Sequence, residues 1–345
     1  MNSERIQAIV DEYKLPKFRA KQLKEAFFEH HYSSFEQLTN FPKDLRNKLT
    51  QENQVLCLTV NKVFASSDKV TYKALLELHD GLKIESVLMS PKPGLWTACI
   101  SSQVGCAMKC TFCATGTMGL TRNLSSEEIS DQVLFWRQFI AKNDIDTERL
   151  NNVVYMGMGE PLHNTKQVFA SIEELTTEDT FKIGSRHISV STSGLLKGVK
   201  EMAERFPQVN LALSLHAAKD ELRSSIMPIN DAFNLERVRA CLDEYIDKTH
   251  RKVFIEYVLL EGENNELSHA AELCDFLKSL ERPELTHTNL IVYNETDSTH
   301  KGSTRQKADD FRNFLKSKGL SVTIRKNLGR DIDGACGQLA VKEDN

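Results

Sequence analysis

Three cysteines lie in one short loop, Cys106-Ala107-Met108-Lys109-Cys110-Thr111-Phe112-Cys113, and no fourth cysteine stands near them in sequence. The spacing is C-x3-C-x2-C. A closed iron–sulfur cluster takes four thiolates, and a structural zinc site takes four ligands. A loop offering three leaves one coordination position for something else. Two other readings stay open. Cys110 and Cys113 are half of a zinc site if His163 or His187 completes it, although no second C-x2-C and no H-x3–5-H is present. C-x2-C also serves as a redox pair, which leaves Cys106 unexplained.

The rest of the chain suits intracellular metal or redox chemistry. It has 345 residues, 40% hydrophobic and 27% charged, so it reads as globular with room for more than one domain. Glu4, Arg5, Asp11, Glu12, Lys14 and Lys17 crowd the start, so no secretion signal is expected, and no run approaches a membrane span. Eight cysteines without such a signal argue for a reducing cytoplasm. A net charge of −4 argues against indiscriminate nucleic-acid binding but not against a local basic surface.

Residues 1–50 read as short helices. Phe18, Leu23, Ala26 and Phe27 recur at near-helical spacing, with Lys17, Arg19, Lys21 and Lys24 between them. A second helical patch is expected from Ser34 through Phe35 and Leu38 to Phe41-Pro42. This unit is either an RNA-contacting accessory domain or a solvated helical cap. Asp80-Gly81, between two strand-like runs within 68–90, is a hairpin signal. Ser125 and Glu128 have capping-box spacing ahead of an apolar helix. Strands are then expected at Thr97–Ser101, Asn152–Met156, His187–Ser191, Asn210–Leu215, Lys252–Leu260, His287–Tyr293 and Leu320–Arg325. Helices lie between them, clearest at Leu235–Ile246 and Leu267–Leu280. Such alternation predicts an α/β fold with parallel strands and crossover helices, a partial (β/α)6-type barrel, with its site at the carboxyl ends of the strands. The expected division is a helical domain over 1–60, a hairpin linker over 61–92 and a catalytic core over 93–345.

Polar groups gather at those strand ends. Met156-Gly157-Met158-Gly159-Glu160-Pro161 closes one strand, Ser191-Thr192-Ser193-Gly194 ends the next, Ser214-Leu215-His216 the one after, and Asn294 a later one. Each also suits simple strand-end capping. The three-cysteine loop resembles that of radical S-adenosylmethionine (SAM) enzymes. There, three thiolates hold a 4Fe-4S cluster and SAM on the open iron is cleaved to a 5′-deoxyadenosyl radical.

The resemblance narrows further. Cys99-Ile100-Ser101-Ser102-Gln103-Val104-Gly105-Cys106, the cysteine loop, the Met-Gly-Met-Gly-Glu-Pro turn, Ser214-Leu215-His216, Met227-Pro228-Ile229-Asn230 and Gly334-Ala335-Cys336-Gly337-Gln338-Leu339 together resemble the RlmN/Cfr family over nearly the whole chain. Those enzymes methylate adenosine in RNA. RlmN-type members act on C2, in 23S ribosomal RNA and in many bacteria also in tRNA. Cfr-type members act on C8 of the same ribosomal adenine and confer antibiotic resistance. Glu160-Pro161-Leu162, Val190-Ser191-Thr192-Ser193-Gly194 and His216-Ala217-Ala218 resemble the RlmN branch. Glu295 departs from the proline that often comes after Asn294.

The resemblance implies a set of roles. Cys106, Cys110 and Cys113 hold the cluster. Gly159, Glu160, Ser191, Ser214, Leu215, His216 and Asn294 bind SAM. Cys336 is methylated by one SAM and carries the methyl group to the base. A radical from a second SAM activates that methyl group, because an aromatic C–H offers no electron pair for polar transfer. Glu85 accepts the proton from the modified carbon, and Cys99 releases the product by a transient disulfide with Cys336. Cys57, Cys241 and Cys274 read as ordinary buried thiols. An RNA substrate needs backbone contacts, for which Lys17, Arg19 and Lys21, or Arg325, Lys326 and Arg330, are candidates, and an electron donor such as flavodoxin or ferredoxin.

Overall fold

The computed structural model describes residues 1–143, 145 and 150–341. The chain opens with α1 (Ser3–Glu12), capped by the Asn2 side chain, which accepts from the Arg5 N–H. Then come α2 (Phe18–Lys24), a widened π-helical turn at Glu25–Glu29, and α3 (Lys43–Glu52). Ile6, Ile9, Val10, Phe27, Phe28 and Phe35 point inward, with Phe27 and Phe35 edge to face at 5.2 Å. The helical patch expected at Ser34–Pro42 is only a 3-10 turn, Phe35–Gln37. The Gln37 side chain accepts from the Ser34 N–H, and the Ser34 hydroxyl accepts from the Glu36 N–H. Pro42 disfavours helical backbone at Phe41, and a new helix begins directly after it.

A single sheet carries the rest. It starts with three antiparallel strands, β1 (Leu58–Ala65), β2 (Thr71–Leu78) and β3 (Lys83–Lys92). The β2–β3 turn falls at Asp80-Gly81, where the Gly81 N–H donates to the Leu78 carbonyl. β4 (Leu95–Cys99) pairs antiparallel with β3, while its other edge takes a parallel neighbour. A small side hairpin, β5 (Gln103–Gly105) and β6 (Leu120–Asn123), brackets the cysteine loop and the short α4 (Ala114–Thr117). From there the chain alternates: α5 (Ser126–Lys142), β7 (Asn152–Tyr155), α6 (Thr165–Thr176), β8 (Ile188–Thr192), α7 (Leu196–Arg205), β9 (Asn210–Ser214), α8 (Asp220–Ile226), α9 (Leu235–Thr249), β10 (Val253–Leu259), α10 (Leu267–Lys278), β11 (Thr286–Val292), α11 (Arg305–Ser317) and β12 (Val322–Ile324).

The strand order is β1-β2-β3-β4-β7-β8-β9-β10-β11-β12, and every step from β4 to β12 is parallel. α5, α6, α7, α9, α10 and α11 supply the six crossovers that parallel pairing requires. The sheet stays open, with β1 and β12 at its edges. This is the expected α/β architecture of six β/α units, and the parallel strands lie on the expected segments. Among the described residues no helix is long and apolar enough to cross a membrane.

The longest crossover, α5, begins where the capping box predicts. The Ser125 hydroxyl accepts from the Glu128 N–H at 3.1 Å, and the Glu128 carboxylate accepts from the Ser125 N–H at 2.8 Å. Arg122 holds the same carboxylate from β6. Farther along, fully buried Trp136 donates to the Ser86 hydroxyl, tying α5 to β3. Ser125→Ala removes half of the box and is expected to cost about 1 kcal/mol. A lower urea midpoint with unchanged slope checks it.

Candidate active site

The cysteine loop is held from four directions. The Cys106 N–H donates to the Gly119 carbonyl, the Thr111 N–H to Ile226 and the Ala114 N–H to Gly337. The Thr111 hydroxyl meets His300 Nε2 at 2.8 Å, while His300 Nδ1 is held by Glu263. Gly105 makes the loop's entry possible. Its φ is +75°, and a Cβ there would lie 1.8 Å from the Gly119 oxygen. Cys106, Cys110 and Cys113 all line one cavity of about 170 Å³ at the carboxyl ends of the strands.

Two properties of these thiols describe what they fit. Burial pushes Cys106 up to about 12 and raises Cys110 and Cys113 as well, so a cation is needed to draw out thiolates. Four thiolates around one zinc lie about 3.8 Å apart, given a zinc–sulfur bond of about 2.3 Å. Among the described residues, the group of three ligating atoms within 4.8 Å of one another is Cys57, Glu127 and Asp131, not the loop. Three thiols facing one cavity, with no fourth protein ligand from the loop, suit a cluster with one open iron. At the Cys57 group, the Met1 ammonium already pairs with Asp131 and Glu127.

Opposite the sulfurs stand the polar strand ends. Gly159, Glu160, Ser191, Ser214, His216 and Asn294 line the same cavity. Gly159 has φ +98°, and a Cβ there would meet Gln103 at 2.5 Å. The Glu160 carboxylate accepts from the Ser193 N–H and hydroxyl at 2.7 and 2.9 Å and from the Leu162 N–H at 3.0 Å. Burial nevertheless raises its pKa, against the pull of those donors. His216 sits in the left-handed region at φ +60°, and its Nδ1 accepts from the Val258 N–H, which leaves the ring proton on Nε2. Burial, and then nearby Arg223, lower its pKa to about 3, so the imidazole is neutral. Asn294 donates to the Cys336 carbonyl, while its buried Oδ1 has no partner. A neutral donor, a held carboxylate and an unpaired amide oxygen facing three thiols fit an amino-acid-bearing nucleoside such as SAM, with the cluster beside it.

Leu215 does not join them. Its side chain lies in the apolar core, and its backbone bonds Glu256 and Arg223 instead. Arg223, which sequence reasoning misses, braces the strand ends from behind without lining the cavity. Its fully buried guanidinium gathers Ser193, Ser214, Leu215 and Asn230. A single arginine in an amphipathic helix carries no signal of that role.

A second cavity, about 100 Å³, adjoins the first. Cys99, Cys336, Asn294 and Arg325 line it, so the two distant cysteines share one pocket, and Cys336 lines both cavities. Both are free thiols. Burial and the neighbouring Cys336 sulfur raise the Cys99 thiol, while Arg325 acts in the opposite direction. Arg325, expected as an RNA contact, is instead turned inward and paired with Glu256 at 3.2 Å. Lys326, Arg330, Lys17 and Lys21 are exposed; Arg19 stacks on Phe41 at 4.3 Å. Glu85 lines neither cavity. It is fully buried, paired with Lys73, and accepts from the Ala340 and Val341 N–H groups.

This geometry has two testable outcomes. Replacing Cys106, Cys110 or Cys113 with Ala should remove the visible iron–sulfur absorption and SAM cleavage, checked by iron content and deoxyadenosine release. His216 should make the fold acid-sensitive. The unfolded chain binds a proton below about pH 6.5 that the folded imidazole refuses until about pH 3. Its contribution is therefore complete above pH 6.5 and is lost as pH falls through that window, at up to about 1.4 kcal/mol per unit. Urea midpoints at pH 7 and pH 5 should differ less in His216→Asn, a residue that also tolerates positive φ.

The comparisons with known proteins agree with this geometry. Residues 100–274 match the Radical SAM superfamily, which uses a 4Fe-4S cluster and SAM, and residues 1–55 match the ribosomal RNA large subunit methyltransferase N-terminal domain. The chain is 40% identical over 339 residues to the ribosomal RNA large subunit methyltransferase Cfr of Bacillus velezensis, covering 97% of this chain and 95% of that one. It is 42% identical over 327 residues to the probable dual-specificity RNA methyltransferase RlmN of Bacillus subtilis, covering 94% and 88%. A crystal structure of a radical SAM methyltransferase from Sphaerobacter thermophilus superposes with a TM-score of 0.91 at 36% identity, over 99% and 98% of the two chains. With a three-cysteine loop, a polar rim facing it and a full-length likeness of this order, the chain belongs to the RlmN/Cfr family of radical SAM methyltransferases.

Proposed function

We propose that this enzyme methylates C2 of adenosine in the peptidyl-transferase region of 23S ribosomal RNA, and in tRNA, through a methyl group carried on Cys336. The observation that carries the reading is the pocket shared by Cys99 and Cys336, next to the cavity of the three loop cysteines. The RlmN and Cfr names of its relatives support an RNA substrate. The two names occur at similar identity, so the choice of C2 over C8 rests on the RlmN-like strings around Glu160, Ser191 and His216. We place the enzyme in the cytoplasm, served by a flavodoxin- or ferredoxin-type reductant.

When bound, the cluster and SAM supply the methyl group and the radical that activates it. The chain's own residues do the rest. Glu160, His216 and Asn294 orient SAM against the loop sulfurs. Cys336, lining both cavities, takes the methyl group on its sulfur and becomes the covalent link to the base. Glu85 accepts the proton from the modified carbon. Cys99, as its thiolate, then attacks the Cys336 sulfur; a disulfide forms and the carbon–sulfur bond breaks, its electron pair leaving with the product, whose methylene carbon takes a proton from solvent to become the methyl group. Arg325 offers a fixed cation beside both sulfurs. Lys326 and Arg330, exposed near the Cys336 loop, contact the RNA backbone.

Mass mapping of the methylated nucleoside after anaerobic reaction should give 2-methyladenosine; 8-methyladenosine would assign the chain to the other branch. Cys336→Ala should keep its iron and methylate no RNA. Cys99→Ala should stall after carbon–carbon bond formation. A denaturing gel should then show a protein–RNA adduct that disappears on RNA digestion, and normal product release would reduce Cys99 to a core thiol.

A further inference from the structure

A lysine and a glutamate with almost no solvent contact face each other across β2 and β3. Lys73 Nζ lies 3.0 Å from Glu85 Oε1, and each side chain is 1% exposed. The surroundings are apolar: Leu75 and Val87 are buried on the same face of the sheet, and the ammonium sits 5.1 Å over the Phe64 ring. Placing two charges there is costly, and an apolar pair of similar volume would serve packing as well or better. The pair therefore asks for a use beyond stability.

Its position supplies one. Alternation along β3 puts Glu85 on the same face as Val87 and Met89, which line the Cys99–Cys336 pocket. Lys73 is opposite Val87 in the strand register and shares that face. Only the segment after Cys336 lies between: Leu339 lines the pocket, and the Ala340 and Val341 N–H groups donate to Glu85 Oε2 at 2.9 and 3.2 Å. One carboxylate oxygen thus faces the ammonium, and the other faces the segment that carries the methyl-bearing cysteine.

We propose that Lys73 is a positioning residue for proton removal: its buried ammonium faces Oε1 of Glu85, so that Oε2 is the oxygen that takes the proton. This rests on the reading of Glu85 as the proton acceptor. In the step, the proton on the modified carbon passes to Oε2, the C–H electron pair stays with the adenine ring, and the unpaired electron left by radical addition would be taken up by the oxidised iron–sulfur centre. The carboxylate becomes a neutral acid, and the proton returns to solvent after release. Oε2 is free to act once residues 340 and 341 lift away, which the entering RNA base does by displacing the Cys336 loop. The groups facing the Glu85 carboxylate are Lys73 from β2 and the two N–H groups of the C-terminal segment, while Met158 Sδ accepts from the Glu85 N–H and the Ser101 hydroxyl donates to the Glu85 carbonyl. The nearest titratable group on β4 is Cys99, opposite Val87.

Lys73→Met in the iron-loaded enzyme tests the proposal, with a 23S ribosomal RNA fragment spanning the peptidyl-transferase region as substrate. Deoxyadenosine release and adduct formation should persist. Resolution of the denaturation-stable adduct should slow on the order of 10²-fold at pH 7. Removing the cation that faces the carboxylate should move the rising limb of the resolution rate to higher pH. Lys73→Arg should restore the wild-type limb. If Lys73→Met fails to fold, Lys73→Gln and the Lys73→Arg profile carry the same comparison. A variant without the cation that resolves the adduct with the wild-type pH profile overturns the proposal. Glu85→Gln that resolves the adduct overturns the underlying reading of Glu85 instead.

Discussion

The site depends on the end of the chain returning to its middle. The segment after Cys336 is bonded on two sides through its backbone. Gly337 and Leu339 carbonyls accept from Ala114 and the Thr115 hydroxyl beside the cysteine loop, and the Ala340 and Val341 N–H groups donate to Glu85 on β3. The sheet between these anchors is open at β12, so this strap forms the missing wall. Because the bonds use backbone groups, they place Cys336 without dictating most side chains around it.

Behind the wall, buried charges take over work that strands cannot do for themselves. A parallel strand leaves carbonyls unpaired at its carboxyl end, and water is scarce there. Arg223 answers this with a guanidinium whose five donors reach the ends of β8 and β9 together. Its pKa is lowered by burial to about 10, which still leaves it charged at neutral pH. The strand ends that carry Ser191, Ser193, Ser214 and His216 are thereby fixed relative to one another. Polar groups on neighbouring strands become a single surface rather than independent caps.

These pairings explain what is and is not legible in the sequence. The parallel strands can be read because each is a short apolar run between helices, and the α5 start because Ser125 and Glu128 are three residues apart. The β2–β3 turn is readable from Asp80-Gly81. The helix expected at Ser34–Pro42 fails because one proline changes the local backbone. Nothing in Ser214-Leu215-His216 tells that the Leu215 side chain turns into the apolar core while Ser214 and His216 line the cavity. Lys73 with Glu85, Arg223 with Asn230 and Arg325 with Glu256 are illegible for another reason. They join separate elements, and a lone charge in a strand or helix usually means solvent.

The sulfurs show why this arrangement of charge is useful. Burial raises the thiols of Cys99, Cys106, Cys110 and Cys113 alike, so an apolar cavity alone would keep them protonated. A thiolate, not a thiol, binds metal or attacks sulfur. The chain therefore needs a separate positive partner for each sulfur set. At the loop, that partner is the charge of the bound metal centre. At the second pocket it is Arg325, for which burial acts to lower the pKa while the Cys336 and Cys99 sulfurs and the Glu256 carboxylate more than offset it. A guanidinium is suited to this place because it cannot surrender its proton to the sulfurs it faces. Glu256, in turn, spares Arg325 from being an isolated buried charge. Two groups of cysteines a few side chains apart can then follow different chemistry, one governed by a metal and the other by a fixed cation.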